Sequence, residues 1–395
     1  MRLEFSDCVL DLERLELLRA GSRVEVEPQV FEVLAHLIGN QDRVVGADEL
    51  FEAVWHGRIV SLSTLTSRIS AARVAIGDTG RDQKLIRTIP RRGYRFIGEA
   101  VATNGGPAPA PPVAPLRQEV QFCETSDGVR LAWSRVGTGP PIVKTGNWLN
   151  HIEYDWESPV WSHVLHWLAR GRQLVRYDAR GNGLSDWDVP DISFEAFVRD
   201  LETVVDAAGL DRFVLFGASQ GCAFSIAYAV RYPHRVSKLV LYGGFARGRR
   251  LRGSAVDVEQ AEAMLTLMRT GWGQDNPAFR QVFTSLFVPG GTPEQMEWFN
   301  ELQRKTTSAE NAVRLRLVSD YMDVVDLLPR VCTPTMVLHC RDDAIQPFRE
   351  GRFLAANIPG ARFVGLEGRN HLILEGDPGW PKFQQEVDGF LAELT

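Results

Sequence analysis

The chain of 395 residues is long enough for two or three domains that each bury a core. Its composition, 44% hydrophobic and 24% charged with a net charge of −6, excludes a chain that coats nucleic acid along its whole length. No run approaches the roughly 18 apolar residues of a membrane span, and the start, MRLEFSDCVLDLERL, carries acids where a signal segment has a basic then apolar pattern. The expectation is a cytoplasmic protein with no membrane partner. Five cysteines (Cys8, Cys123, Cys222, Cys332, Cys340) form no CxxC pair, which predicts reduced, buried thiols, no metal site and no cofactor.

From Leu3 to Val26 closely spaced apolar residues, broken at Gly21, predict short strands. Three helices follow. Pro28–Asn40 repeats Phe31, Leu34, Ala35 and Ile38 on one face, and Ala47–Trp55 repeats Leu50, Phe51 and Val54. In the third, about Ser61 to Ile76, the inward stripe is Leu62, Leu65, Ile69, Ala72 and Ile76. Ser63, Thr66, Ser67, Arg68, Ser70 and Arg73 are left to point outward. Hydroxyls and arginines on one helix face suit a major groove. Two short β runs around a basic turn occupy Leu85–Phe96. Between Arg58 and Arg95 there are nine basic residues against two acids, Asp78 and Asp82, whereas the first 55 residues are mainly acidic. That asymmetry is the electrostatic footprint of a phosphate-binding face.

The run RVVGADELFEAVWHGRIVSLSTLTSRISAARVAIGD, followed by LIRTIPRRGYRF, resembles the C-terminal effector domain of OmpR-type response regulators and CadC-like activators. The resemblance covers residues 1–98 and implies an α+β winged helix-turn-helix that binds double-stranded DNA at promoters, commonly as a homodimer on direct repeats. It places the recognition helix at Ser63–Ile76, with Ser63, Thr66, Arg68 and Arg73 near bases or phosphates. Thr88 would contact a phosphate, and Arg91 and Arg92 would enter the minor groove from the wing tip. Neither a receiver domain nor a membrane helix accompanies it, so the input signal arrives by another route.

Residues 99–118 read as a linker. Ala100–Leu116 holds five prolines and no charge, a composition of semi-stiff, extended spacers.

Over 119–395 short apolar runs (PPIVKTG, RQLVRYD, RFVLFG, VSKLVLYGG, TPTMVLHC, ARFVGLEG) alternate with amphipathic stretches, which predicts a doubly wound, mostly parallel α/β sheet. Gly217-Ala218-Ser219-Gln220-Gly221 lies between such a run and a helical stretch, the context of a nucleophile elbow. A nucleophilic serine needs a base and an acid to orient that base. His371 is the candidate base. Asp343 and Asp342 compete as the acid. The oxyanion donors would be the N–H groups of Gln220 and Asn147, with Trp148 the near alternative to Asn147.

This segment, with YDARGNGLSD (Tyr177–Asp186) and RYPHRVSKLVLYGG, resembles the α/β-hydrolase fold. The resemblance implies an acid at the spacing that Asp343 keeps four residues before Pro347, which favours Asp343. It also implies that residues 246–329 form a helical cap. Trp148, Met268, Trp272 and Phe283 are candidate pocket residues for a hydrophobic ligand. Arg247, Arg249, Arg250 and Arg252 form a basic cluster that faces DNA, an acidic ligand or water. The reading is a one-component transcription regulator whose serine hydrolase domain binds a small hydrophobic ester- or lactone-like ligand, with or without turnover. The alternative is an active esterase, lactonase or C–C hydrolase with an accessory DNA-binding domain.

Overall fold

The alternation of apolar residues near the N-terminus becomes a strand with one wet and one dry face: in β1 (Arg2–Phe5) Leu3 and Phe5 point inward. The computed structural model describes residues 2–12, 15–24, 26–55, 60–90, 92–103, 116–274 and 276–393. The chain divides into two units, Met1–Val113 and Ala114–Thr395.

In the first unit β1 pairs antiparallel with β2 (Cys8–Asp11), then β3 (Glu16–Arg19) and β4 (Ser22–Val24) follow in a meander, with Leu3 opposite Leu10 and Leu10 opposite Leu17. Helix α1 (Pro28–Gly39) starts on a proline, whose missing N–H costs nothing at that position. Helix α2 (Ala47–Trp55) is followed by α3 (Leu62–Ala75), where the Ser61 side chain accepts the N–H of Thr64 as an N-cap. Strands β5 (Ile86–Ile89) and β6 (Gly93–Phe96) make the hairpin, and Tyr94 also pairs with Val45. Val33, Leu34, Leu50, Leu65, Ile69 and Phe96 fill the core between these elements.

Three sequence expectations change here. Strand β7 (Val101–Thr103) pairs with β1, so the start of the predicted linker serves as an edge strand; β1 otherwise leaves a row of backbone groups unpaired. Residues 104–115 of that linker lie outside the described residues. Leu62, assigned to the inward stripe, is 61% exposed because the first turn of α3 projects beyond the core. Arg73, assigned to the outward face, is 6% exposed.

In the second unit β8 (Glu119–Glu124) and β9 (Arg130–Val136) form an antiparallel pair. The chain then alternates through β10 (Pro141–Lys144), α4 (Ile152–Trp156), α5 (Ser162–Ala169), β11 (Gln173–Tyr177), α6 (Phe194–Ala207), β12 (Phe213–Ala218), α7 (Gly221–Arg231) and β13 (Val236–Tyr242). Four helices, α8 (Ala255–Gly271), α9 (Pro277–Phe287), α10 (Pro293–Thr306) and α11 (Ala309–Tyr321), intervene before β14 (Thr335–Cys340), α12 (Phe348–Asn357), β15 (Arg362–Leu366) and α13 (Trp380–Ala392). The sheet order is β15-β14-β13-β12-β10-β11-β9-β8, parallel from β15 to β11. Every residue of β14 is buried, as parallel strands covered on both faces require. Cys8, Cys222 and Cys340 are buried free thiols, but Cys332 is exposed, contrary to the expectation of uniformly buried cysteines. No helix among the described residues is long and apolar enough to cross a membrane.

Inside the YDARGNGLSD segment, Arg180 has no exposed surface. Its guanidinium pairs with Asp200 of α6 at 2.6 Å and Asp127 at 2.8 Å, pinning the segment after β11 to two other parts of the fold.

Candidate functional site

Strand β12 ends at Ala218, and the chain turns at once into α7. Ser219 sits in the turn with φ 52°, left-handed backbone that a non-glycine residue adopts only under constraint. The flanking glycines are sterically required. A Cβ at Gly217 would lie 2.7 Å from Ser225 Oγ, and one at Gly221 would lie 2.5 Å from Thr145 Oγ1 and 2.7 Å from the Gly146 carbonyl.

His371 Nε2 is 2.9 Å from Ser219 Oγ, and its Nδ1 is 2.6 Å from Asp343 Oδ2. The other oxygen of Asp343 accepts the N–H groups of Ile345 and Gln346 at 2.8 and 2.9 Å, which fixes the carboxylate in the turn after β14. Burial pushes the Asp343 carboxyl up, but the charge and hydrogen bond of His371 outweigh it and hold the group below the usual carboxylate range. Asp342 is exposed. The cap meets the base directly: Phe287, the last residue of α9, accepts the backbone N–H of His371 on its carbonyl at 2.9 Å and sets its ring edge-on to the imidazole at 5.5 Å.

Gln220 is the N-cap of α7, so its N–H lies at the positive end of that helix. Asn147 is buried after β10, and its side chain accepts from Lys144 Nζ at 2.5 Å and donates to the Trp148 carbonyl at 3.0 Å. Among the described residues the backbone N–H groups of Gln220 and Asn147 have no protein acceptor. Lys144 is a buried cation over the Trp161 ring, and burial pushes its ammonium down to about 8. Trp148 packs edge-to-face on Trp272 at 5.9 Å, and Trp272 on Phe283 at 5.7 Å. Met268 is fully buried in the same core.

Sequence reasoning missed His339, the residue before Cys340. It is fully buried, with Nε2 2.7 Å from the Gln346 carbonyl and 3.6 Å from Asp343 Oδ2, so two imidazoles flank one carboxylate. Gly351 is the signal that accompanies it: a Cβ there would lie 2.5 Å from His339 Nδ1.

On the first unit, Ser63 and Thr66 are exposed on α3, and Thr66 donates its hydroxyl back to the Leu62 carbonyl at 2.9 Å. Arg68 is half-buried, paired with Glu27 at 2.8 Å and bonded to Gln29 at 3.1 Å. Arg73 does not face outward: it donates to the Ile86 carbonyl at 2.9 Å and the Thr88 hydroxyl at 2.8 Å, because the flank of α3 it occupies abuts the unpaired carbonyl edge of β5. Thr88 is exposed, Arg92 is exposed, and Arg91 lies outside the described residues. The exposed residues of α3 are Leu62, Ser63, Thr66, Ser67, Ser70 and Val74, none of them charged, and exposed cations nearby include Arg87 and Arg95, which sit opposite each other in the hairpin. Asp78 is buried and accepts four N–H groups, from Thr79, Lys84, Leu85 and Ile86. Although burial alone would raise it, those bonds hold its carboxyl below the usual range.

An elbow serine on a mostly parallel sheet and a three-helix domain with a β hairpin define two classes, an α/β-hydrolase fold and a winged helix. A family model described as "alpha/beta hydrolase fold" matches residues 154–283, and one described as "Transcriptional regulatory protein, C terminal" matches residues 21–96. The chain thus joins an OmpR-type DNA-binding regulator domain to a hydrolase domain. It is similar to the AB hydrolase superfamily protein YisY of Bacillus subtilis, 24% identical over 256 residues, which covers 63% of this chain and 91% of the relative. It is also similar to the pyrrolizixenacetamide deacetylase of Xenorhabdus hominickii, 26% identical over 216 residues, covering 52% and 76%. Among solved structures, the enol-lactonase from Burkholderia xenovorans LB400 aligns with a TM-score of 0.58 at 22% identity, covering 69% of this chain and all of that one; this likeness establishes the fold.

Proposed function

We propose that the protein is a one-component transcription regulator whose hydrolase domain binds and hydrolyses a small hydrophobic ester or lactone. The observation that carries the hydrolytic part is the in-line arrangement of Ser219, His371 and Asp343 at 2.9 and 2.6 Å. Ser219 Oγ attacks the carbonyl carbon while His371 Nε2 takes its proton. The N–H groups of Gln220 and Asn147 hold the oxyanion. His371 then protonates the leaving alkoxide, and Asp343 keeps the imidazole oriented and balances its charge. Water repeats the sequence on the acyl-serine to release the acid. The buried Trp148, Met268, Trp272 and Phe283 support an apolar ligand. DNA binding by the winged helix, as a homodimer in the cytoplasm, supplies the output, with Ser63, Thr66, Arg68 and Arg92 at the groove and Thr88 beside it.

The complete relay also favours the second reading, an esterase, lactonase or C–C hydrolase for which the winged helix is accessory. One experiment tests both. Purified protein is treated with a fluorophosphonate probe, and DNA affinity is measured with and without the ester it cleaves. Labelling of wild type that is lost in Ser219→Ala is the expected result, and a ligand-dependent change in DNA affinity selects the regulator. Absent labelling in a folded protein overturns turnover, and unchanged DNA affinity in the presence of substrate selects the accessory reading.

A further inference from the structure

The four-arginine run at the start of the cap has no part in the relay. It borders a recess of about 440 Å³ lined by Arg247, Arg252, Ser254, Asp257, Arg349 and Glu350. None of the three relay residues reaches it. Three cations face two carboxylates there. Arg349 lies 3.6 Å from Asp257 and 3.5 Å from Glu350, and Arg252 lies 3.8 Å from Glu350. Arg247 stacks on Phe353 at 4.8 Å and has no carboxylate within ion-pair reach among the described residues.

The recess leaves buried groups of both kinds without hydrogen-bond partners, Asp257 Oδ2 and Glu350 Oε2 among the acceptors. The Arg252 side chain is 3% exposed, yet its Nη1 has no hydrogen-bond partner, and neither has the buried Nε of Arg247. A guanidinium withdrawn from water and left with a free N–H is costly unless something supplies an acceptor. Helix α8 begins at the same place, with Ser254 as its cap, so the positive end of a 17-residue helix adds to the field. Burial first, and to a lesser degree the charges of Arg316 and Arg252, push neighbouring Arg249 down to about 10.

We propose that this recess is a second small-molecule site, separate from Ser219, that takes an anionic ligand through a carboxylate or phosphate group held by Arg247, Arg252 and Arg349. Its position gives it a grip on the relay. Arg252 Nη2 donates to the Gln346 side chain and Arg249 to the Ile345 carbonyl at 3.1 Å, and these are the two residues whose N–H groups hold Asp343. Occupancy therefore bears on the turn that carries the acid, which makes the anion an effector of the hydrolase domain.

The test uses the full chain and two probes, inorganic phosphate and acetate, with chloride added to keep ionic strength constant. Thermal unfolding and titration calorimetry are read for wild type, Arg252→Met, Arg349→Met and Ser219→Ala. The expected result is saturable binding of at least one probe with a rise in Tm, weakened tenfold or more in both arginine variants and unchanged in Ser219→Ala. Which probe binds distinguishes a phosphorylated from a carboxylate ligand. If Arg252→Met fails to fold, Arg349→Met, whose side chain is 64% exposed, decides alone. No saturable binding in wild type, or equal binding in the arginine variants, overturns the site.

Discussion

Arg73 donates from Nη2 to the hydroxyl oxygen of Thr88 at 2.8 Å, so two residues that the sequence offers as separate DNA contacts are bonded to each other. The same guanidinium caps the Ile86 carbonyl and ties α3 to the hairpin. Arg73→Ala leaves a buried carbonyl without its donor and should destabilise the winged-helix unit by about 2 kcal/mol. A lower urea midpoint for that unit is the expected readout, and an unchanged midpoint would show that the tie contributes nothing.

Arg92 is exposed, and its side chain has no comparable bond among the described residues. Arg92→Ala should leave stability unchanged and weaken binding to specific and random duplexes alike. The slope of log K against log salt should fall by about 1. A loss confined to one sequence would mean that Arg92 reads a base instead.

The choice between adjacent aspartates is sharp because one is buried against His371 and the other faces solvent. Asp343→Asn should lower kcat for an ester by on the order of 10⁴-fold, while Asp342→Asn stays near wild type. Equal losses in the two variants would reject the assignment of the acid.

His163 on α5 is packed edge-to-face on Trp380 at 4.7 Å, with Nε2 3.1 Å from the Ile373 carbonyl. Burial pushes its imidazole down to about 4. The unfolded chain therefore takes up this proton first as pH falls, and stability present above about 6.5 is lost progressively down to about 4. The full effect is about 3 kcal/mol, from ~1.4 kcal/mol for each tenfold in proton affinity. The Tm difference between wild type and His163→Gln should thus change between pH 7 and pH 4.5, with the variant the less acid-sensitive. A constant difference would count against the buried neutral imidazole.

Arg180 is the hub of a fully buried pair with Asp200. Arg180→Met strands that carboxylate and should cost the hydrolase unit about 3–5 kcal/mol. The doubly neutral Arg180→Met/Asp200→Leu chain should recover part of it, which a double-mutant cycle in urea would register.

The periodic parts of both folds were readable because repeating apolar residues report which face is dry. The three helices of the winged unit and the alternation around the parallel sheet follow from such spacing, and the elbow at Ser219 from its flanking glycines between a strand and a helix. Arg73 was misplaced because a long polar side chain on a helix flank is assigned to water by periodicity, whereas here a carbonyl across the core edge needed a donor. Leu62 failed in the opposite sense, since a helix's first turn overhangs its core. His339 was invisible for a different reason. It occupies an inward position of a strand buried on both faces, and only the third dimension brings it to Asp343.

Among the described residues, the winged-helix core and the hydrolase core have no side chain in common. A substitution that empties one removes no side chain from the other, so the two halves can be inherited and selected as separate traits. On the regulator reading, an allele that melts only the hydrolase half would yield a protein that still occupies its operator but is deaf to its ligand.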